Sequence, residues 1–338
     1  MTTQTEAVPG RTTQAPSTTE IWLRRARALA PLWTLLALGL FFSLASDTFL
    51  RPINLNNILV QVSTLALLGT GLTFVLLTGE IDLSIAAMVT FVGVVAAHLF
   101  ANLEIPEPWP TLIALGAATL LGLVNGIATT KFRIPSFMAT LAMSLIASGL
   151  AIWISQGRII FEISEVSRFF GSGRVGDTGI RVLTVVAASA LLVAFLVLRY
   201  TRFGRYVYMT GANKSAARLA GVNTDNITIA ALVICGFTAG LAGLVNVGRL
   251  GSAQPQVINS FLIDAIGAVV LGGTALTGGR GGIIQTVFGL LIYGTLRNGL
   301  DNIPQIDPFA KEFITGVVLL FALVVNVVFS GRSSRDRT

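Results

Sequence analysis

The chain has 338 residues, of which 53% are hydrophobic and only 12% charged, and its mean hydropathy is +0.78. Soluble domains carry about 25% charged residues, so the polar surface needed to wrap a water-soluble globule is missing. The formal charge of +7 does not point to nucleic acid, because the bases lie at the ends of apolar stretches instead of forming one binding face.

Residues 1–20 are rich in Thr, Gln and Pro and read as a disordered tail. The basic cluster Arg24, Arg25, Arg27 follows, too late for a signal peptide. The tail is taken as 1–28, the membrane region as 29–331 and a C-terminal tail as 332–338. A crossing needs about 20 mainly apolar residues. Ten segments qualify: 30–46, 57–78, 83–100, 111–130, 136–156, 181–198, 227–248, 262–276, 282–298 and 312–330. The eighth is short, contains Asp264 and ends at Gly272-Gly273, the pattern of a broken or re-entrant helix. The expected fold is all-α and polytopic.

With the N-terminus inside, 15 of the 23 basic residues fall on inner segments. Outer bases such as Arg158, Arg168 and Arg174 have Glu162, Glu165 and Asp177 near them in the loop 157–180. Both termini are therefore expected in the cytoplasm.

Five stretches stand out. Gly79-Glu-Ile-Asp-Leu-Ser84 joins the second and third spans; its acids are costly at a membrane boundary unless paired, capping or wetted. Asp82 either caps the third helix or, with Ser84, serves a gating or pathway role. Asn125 lies in the fourth span, where an amide bonds a neighbouring helix more readily than a solute. Together with Phe137 and Thr140 it supplies the hydrogen-bonding and aromatic groups that a sugar pathway would need. Arg199–Asp225 is hydrophilic, with five bases and one acid. Asn213 can cap a short helix over 214–220, and Gly221 can stop it in the left-handed conformation. A helix that short needs a surface to dock on, although a basic topology-setting loop explains the charge equally well. Arg249-Leu-Gly-Ser-Ala-Gln-Pro255 follows the seventh span, either as a plain turn or as a docking loop. Finally, Leu271–Gly282 is the most glycine-dense stretch. Arg280 and the missing strand rule out a phosphate loop there. A tight turn between closely packed helices is the physical use of those glycines.

Nothing catalytic assembles. Cys235 and His98 are the only residues of their kind, so neither a disulfide, a relay nor a metal site is expected.

The stretches TRFGRYVYMTGANKSAARLAGVN, GLVNG with KFRIPSFMAT, RLGSAQP and LGGTALTGGRGG resemble the permeases of ribose/xylose/arabinose-type ABC importers, over about residues 55–330. Branched-chain amino-acid permeases share the architecture, but these stretches look more like the sugar branch. The family carries Gly-Gly-Ile-Asp-Leu-Ser where this chain has Glu80 in place of the second glycine. The resemblance implies a bacterial inner-membrane permease with no cofactor of its own, ATP and magnesium being bound by a partner ATPase. It implies that 199–225 is the coupling segment, with Gly211, Ala212, Asn213, Ser215, Ala216, Arg218, Leu219 and Gly221 as contact residues. It also implies a periplasmic sugar-binding protein touching Arg249, Ser252 and Gln254, and a second permease, identical or sister. A stand-alone secondary transporter is the alternative; it would need an ion-coupling site that is not evident.

Overall fold

The computed structural model describes residues 30–307, 309–318 and 320. The expected tails, 1–28 and 332–338, lie outside the described residues, as does most of the tenth span. Helices coincide with the first nine expected segments. They are α1 (Ala30–Ala45), α2 (Pro52–Leu77), α3 (Ile85–Ala101), α4 (Trp109–Thr130), α5 (Ser136–Ser155), α7 (Val182–Tyr200), α10 (Thr224–Leu250), α11 (Ser260–Leu271) and α12 (Ile283–Asp301). Residues 309–318 are helical as well. Three short helices lie between spans: α6 (Glu165–Ser172), α8 (Arg202–Ala212) and α9 (Lys214–Leu219). No strand occurs among the described residues; Ile160 and Ala253 form an isolated antiparallel bridge.

Five helices are long and apolar enough to cross a membrane: α2, α4, α5, α7 and α10. α1 and α3 are apolar but shorter. α11 has 12 residues, about 18 Å of helix against a hydrocarbon thickness of about 30 Å. It stops at Gly272-Gly273, where Gly273 adopts a positive φ, so the short eighth segment is a short helix in fact.

The centre of the bundle is built by α2 and α10. α10 packs on α4, α2, α3 and α6, while α2 also packs on α12, α7 and α11. Small residues make this possible: a Cβ on Gly236 of α10 would lie 3.1 Å from the Gly122 Cα of α4, and one on Gly71 of α2 would lie 2.6 Å from the Cys235 Cα. Backbones approach that closely only where side chains are absent. Cys235 is buried and free. By contrast α4, α5 and α7 turn large apolar side chains outward, including Leu120, Leu145, Trp153 and Leu192. Peripheral helices with apolar outer faces around a packed centre are what lipid as a solvent allows.

Several polar side chains within the bundle are paired between helices. Asn54 on α2 donates to the Asn298 Oδ1 on α12 at 2.8 Å, and Asn302 donates to the Asn54 Oδ1 at 3.0 Å. Arg297 on α12 reaches Asp264 on α11 at 3.2 Å and Tyr293 at 2.9 Å. The acid singled out in the eighth segment is therefore neutralised by a neighbouring helix.

Candidate functional site

At one end of the bundle, α8 and α9 form a compact hydrophilic unit. Thr201 caps α8, its hydroxyl accepting from the Gly204 amide at 3.1 Å. Asn213 ends α8 and caps α9, its side chain accepting from the Ala216 amide at 2.9 Å. α9 stops at Leu219, one residue before the expected end; Ala220 is its C-cap and Gly221 follows at φ 83°. The cap and the stop fall where the sequence locates them. The preceding helix α8 was not legible, because Arg-Phe-Gly-Arg-Tyr-Val-Tyr offers no strong helix signal and Gly204 sits inside it.

Ties at both ends compensate for the shortness of α9. At its start the Lys214 ammonium meets the Glu80 carboxylate at 3.0 Å. At its end Arg218 donates to the Thr224 hydroxyl at 2.8 Å and pairs with Asp225 at 2.6 Å. Both acceptors are in the first turn of α10, where a carboxylate also faces the positive end of the helix dipole. Ala217 and Val222 point inward and are buried. What α9 leaves outward is Ser215, Ala216, Arg218 and Leu219, the last 91% exposed, with Ala212 exposed at the end of α8. Arg218, expected as a contact residue, is exposed while also holding an intramolecular pair.

Gly211 stands at the junction beneath α9. A Cβ there would collide with the Leu77 carbonyl oxygen at the end of α2, and one on Gly279 would lie 2.8 Å from the Ala212 Cα. The Gly279 amide donates to that same Leu77 carbonyl at 3.0 Å. Tyr208 on α8 adds a bond from its hydroxyl to the Gly281 carbonyl at 3.0 Å; burial raises its pKa, which keeps the phenol a donor. The glycine-rich stretch is therefore the turn between closely packed α11 and α12, as expected, and also the seat of the α8–α9 unit. That second contact had no signal in the sequence.

Four of the five pathway candidates come together in the bundle. Asp82, Ser84, Asn125 and Thr140 are all buried, whereas Phe137 is 46% exposed on α5. Asp82 Oδ1 accepts from the Ser84 amide at 2.8 Å and from the Ser84 hydroxyl at 2.5 Å. Asn125 donates to the Ser84 hydroxyl oxygen at 3.1 Å. The amides of Ile81 and Leu83 donate to Ser136 at 3.1 Å and Thr140 at 3.0 Å. The non-helical stretch 79–84 is thereby satisfied by α4 and α5, as buried irregular backbone must be. The Asp82 Oδ2 and Asn125 Oδ1 atoms are buried and make no hydrogen bond. Asp82 bonds the amide of Ser84, the N-cap residue of α3, and Ser84 itself makes no side-chain cap bond.

At the opposite end of α10, Arg249 is exposed and donates to Asn246 at 3.2 Å. Ala253 is held to Ile160 by two backbone bonds of 2.8 and 3.0 Å. Gln254 is exposed and Ser252 buried. Both line a small crevice with Thr90, Asn246 and Gln256. Helix α6, which was not expected, closes on this end: the Ser172 hydroxyl donates to the Gly248 carbonyl. Its signal was local, since the Ser164 hydroxyl caps it by accepting from the Ser167 amide at 3.1 Å.

A helical bundle with five helices long and apolar enough to cross a membrane and a charged helical unit at one end has the build of a membrane protein, and its relatives give the class. Residues 54–323 match the family described as branched-chain amino acid transport system / permease component. The chain belongs to this family of transport-system permeases. It is similar to the ribose import permease protein RbsC of Escherichia coli (strain K12), 37% identical over 96% of this chain and 99% of the relative. It is also similar to the RbsC of Bacillus subtilis (strain 168), at 36% identity over 88% and 92% of the two chains. The fructose import permease protein FrcC of Rhizobium meliloti is 31% identical, with 90% and 86% covered.

Proposed function

We propose that the chain is the permease subunit of an ATP-driven ABC importer for a monosaccharide or related polyol delivered by a periplasmic binding protein. The observation that carries this reading is α9: a capped helix of six residues, fixed at both ends to the bundle, with Leu219 and small residues outward. A rigid, protruding helix end suits a groove on a partner that moves. ATP and magnesium belong to that partner ATPase, and this chain supplies no cofactor site. The sugar class is supported by the ribose and fructose in the names of the relatives.

In the topology we favour, ten helices cross the bacterial inner membrane and both tails, 1–28 and 332–338, are cytoplasmic, with α9 on the same side. Arg249, Ser252 and Gln254 then face the periplasm, where the binding protein docks. The buried Asp82–Ser84–Asn125–Thr140 cluster joins α3, α4 and α5, and its unpaired acceptors leave it able to exchange partners during gating. Phe137 lies outside the cluster, exposed on α5, and stays a pathway candidate on a face that the second permease would line. Closure of the ATPase pushes α9, the push passes through Gly211 and Leu77 into α2, and the central helices tilt. A second permease, identical or sister, completes the pathway.

Co-purification with the ATPase and binding protein encoded beside the chain, followed by hydrolysis assays with a panel of sugars, tests the reading. One sugar is expected to stimulate hydrolysis through its binding protein. Absence of a bound ATPase, with ion-driven transport by the purified chain alone, refutes it in favour of a secondary transporter.

A further inference from the structure

Besides the Arg218 tie to Thr224 and Asp225 at the start of α10, the α8–α9 unit is connected to the bundle by two physically different routes. The first is backbone packing, in which Gly211 and Ala212 press on Leu77 and Gly279; it leads into α2 and the α11–α12 turn. The second is the Lys214–Glu80 pair, 3.0 Å long with the Glu80 side chain only 16% exposed. Glu80 is the second residue of the turn that follows α2, and its amide is fixed to the Val75 carbonyl at 3.2 Å. The next residues of that turn are bonded to Ser136 and Thr140 of α5, and the turn ends in Asp82 and Ser84 at the start of α3. The second route therefore leads to α3 and α5 through an ion pair and hydrogen bonds, whereas the first touches that turn only by packing at Gly79.

We infer that Glu80 and Lys214 are positioning residues that couple α9 to α3 and α5 through an ion pair. This inference rests on the importer reading. A helix of six residues cannot keep its own direction in water, and the Asn213 hinge would let its first turn swing. The pair holds that turn against the 79–84 segment, so displacement of α9 moves the polar cluster instead of being absorbed in the hinge.

Two measurements test the inference. In the isolated permease, a zero-length carbodiimide is expected to condense the native Lys214 amine with the Glu80 carboxylate into an amide, found by mass spectrometry as an 80–214 cross-linked peptide and lost in Lys214→Met, because their tips lie 3.0 Å apart. No such cross-link in the native chain means the contact is absent, whatever the ATPase does. In the complex reconstituted with its ATPase and with the binding protein loaded with the sugar that stimulates hydrolysis in the panel, the readout is sugar moved per ATP hydrolysed. Glu80→Gln and Lys214→Met are each expected to keep the ATPase bound and to lower that ratio about two- to fivefold, the range of a partly exposed pair. Exchange of the charges, Glu80→Lys with Lys214→Glu, is expected to restore the ratio to within about twofold of the native chain. High salt lowers the ratio of the native complex but not that of the double neutral variant. An unchanged ratio in both single variants, or an exchanged pair no better than the worse single, overturns the inference while leaving the importer reading intact. Failure of the native permease to hold any ATPase refutes both.

Discussion

Gly278 and Gly79 meet backbone to backbone: a Cβ on Gly278 would lie 2.8 Å from the Gly79 amide nitrogen and 3.0 Å from the Gly211 Cα. Three glycines, from the turn after α2, the end of α8 and the α11–α12 turn, thus share one point beneath α9. The Gly278→Ala chain is expected to lose about 1–3 kcal/mol of stability through overpacking and backbone displacement. Gly278 also has φ 85°, which disfavours any side chain. A lower melting temperature in detergent is the check, with Gly116→Ala, which meets open space on α4, as the control that stays unchanged.

Leu219 is exposed and touches little of its own chain, so Leu219→Asp should leave the melting temperature within error. If α9 seats in the ATPase, the same change removes an apolar anchor and should weaken association about thirtyfold or more. Pull-down of the ATPase by immobilised permease measures it.

Thr140 accepts from the part-buried Leu83 amide and donates to the Ser136 carbonyl at 2.8 Å. Thr140→Val keeps the shape but orphans that amide, at a cost of about 1–3 kcal/mol. Thr140→Ser keeps both bonds and should retain most of the stability. Thermal unfolding of the two variants side by side distinguishes a hydrogen-bonding role from a packing role.

Asn298 is the hub between α2 and α12, accepting from Asn54 and Asn302. Asn298→Ala should destabilise by about 1 kcal/mol, near the modest value of interhelical bonds in membranes. Asn54→Ala combined with Asn298→Ala should lose less than the sum of the two, because the partners fall together. A double-mutant cycle of melting temperatures reports the difference.

Most of the helix pattern was legible because hydropathy acts locally: a run of apolar residues must be helical in lipid whatever surrounds it. Asn213 and Gly221 were legible for the same reason, since capping and left-handed stops are decided within a few residues. The Lys214–Glu80 pair and the Gly211–Leu77 collision were not, because each joins residues more than a hundred positions apart and depends on how α2 and α8 dock. The partner of Asp82 was half legible. Its acid-and-serine neighbourhood announced a polar turn, but the contribution of α5 through Ser136 and Thr140 came only from the fold. Helix α6 escaped because eight residues are too few for periodicity to register, leaving only the Ser164 cap as a cue.

Cys235 is the only cysteine in the chain, and it is packed against Gly71 at the centre of the bundle with no exposed surface. A thiol placed there is sealed from maleimide reagents, so the native chain is already a silent background for labelling. A single cysteine introduced at Ser215, and another at the exposed Phe161 in the loop before α6, would each be the sole reactive group. Membrane-impermeant reagent added to sealed right-side-out vesicles would modify Phe161→Cys and spare Ser215→Cys if the two ends face opposite compartments as proposed.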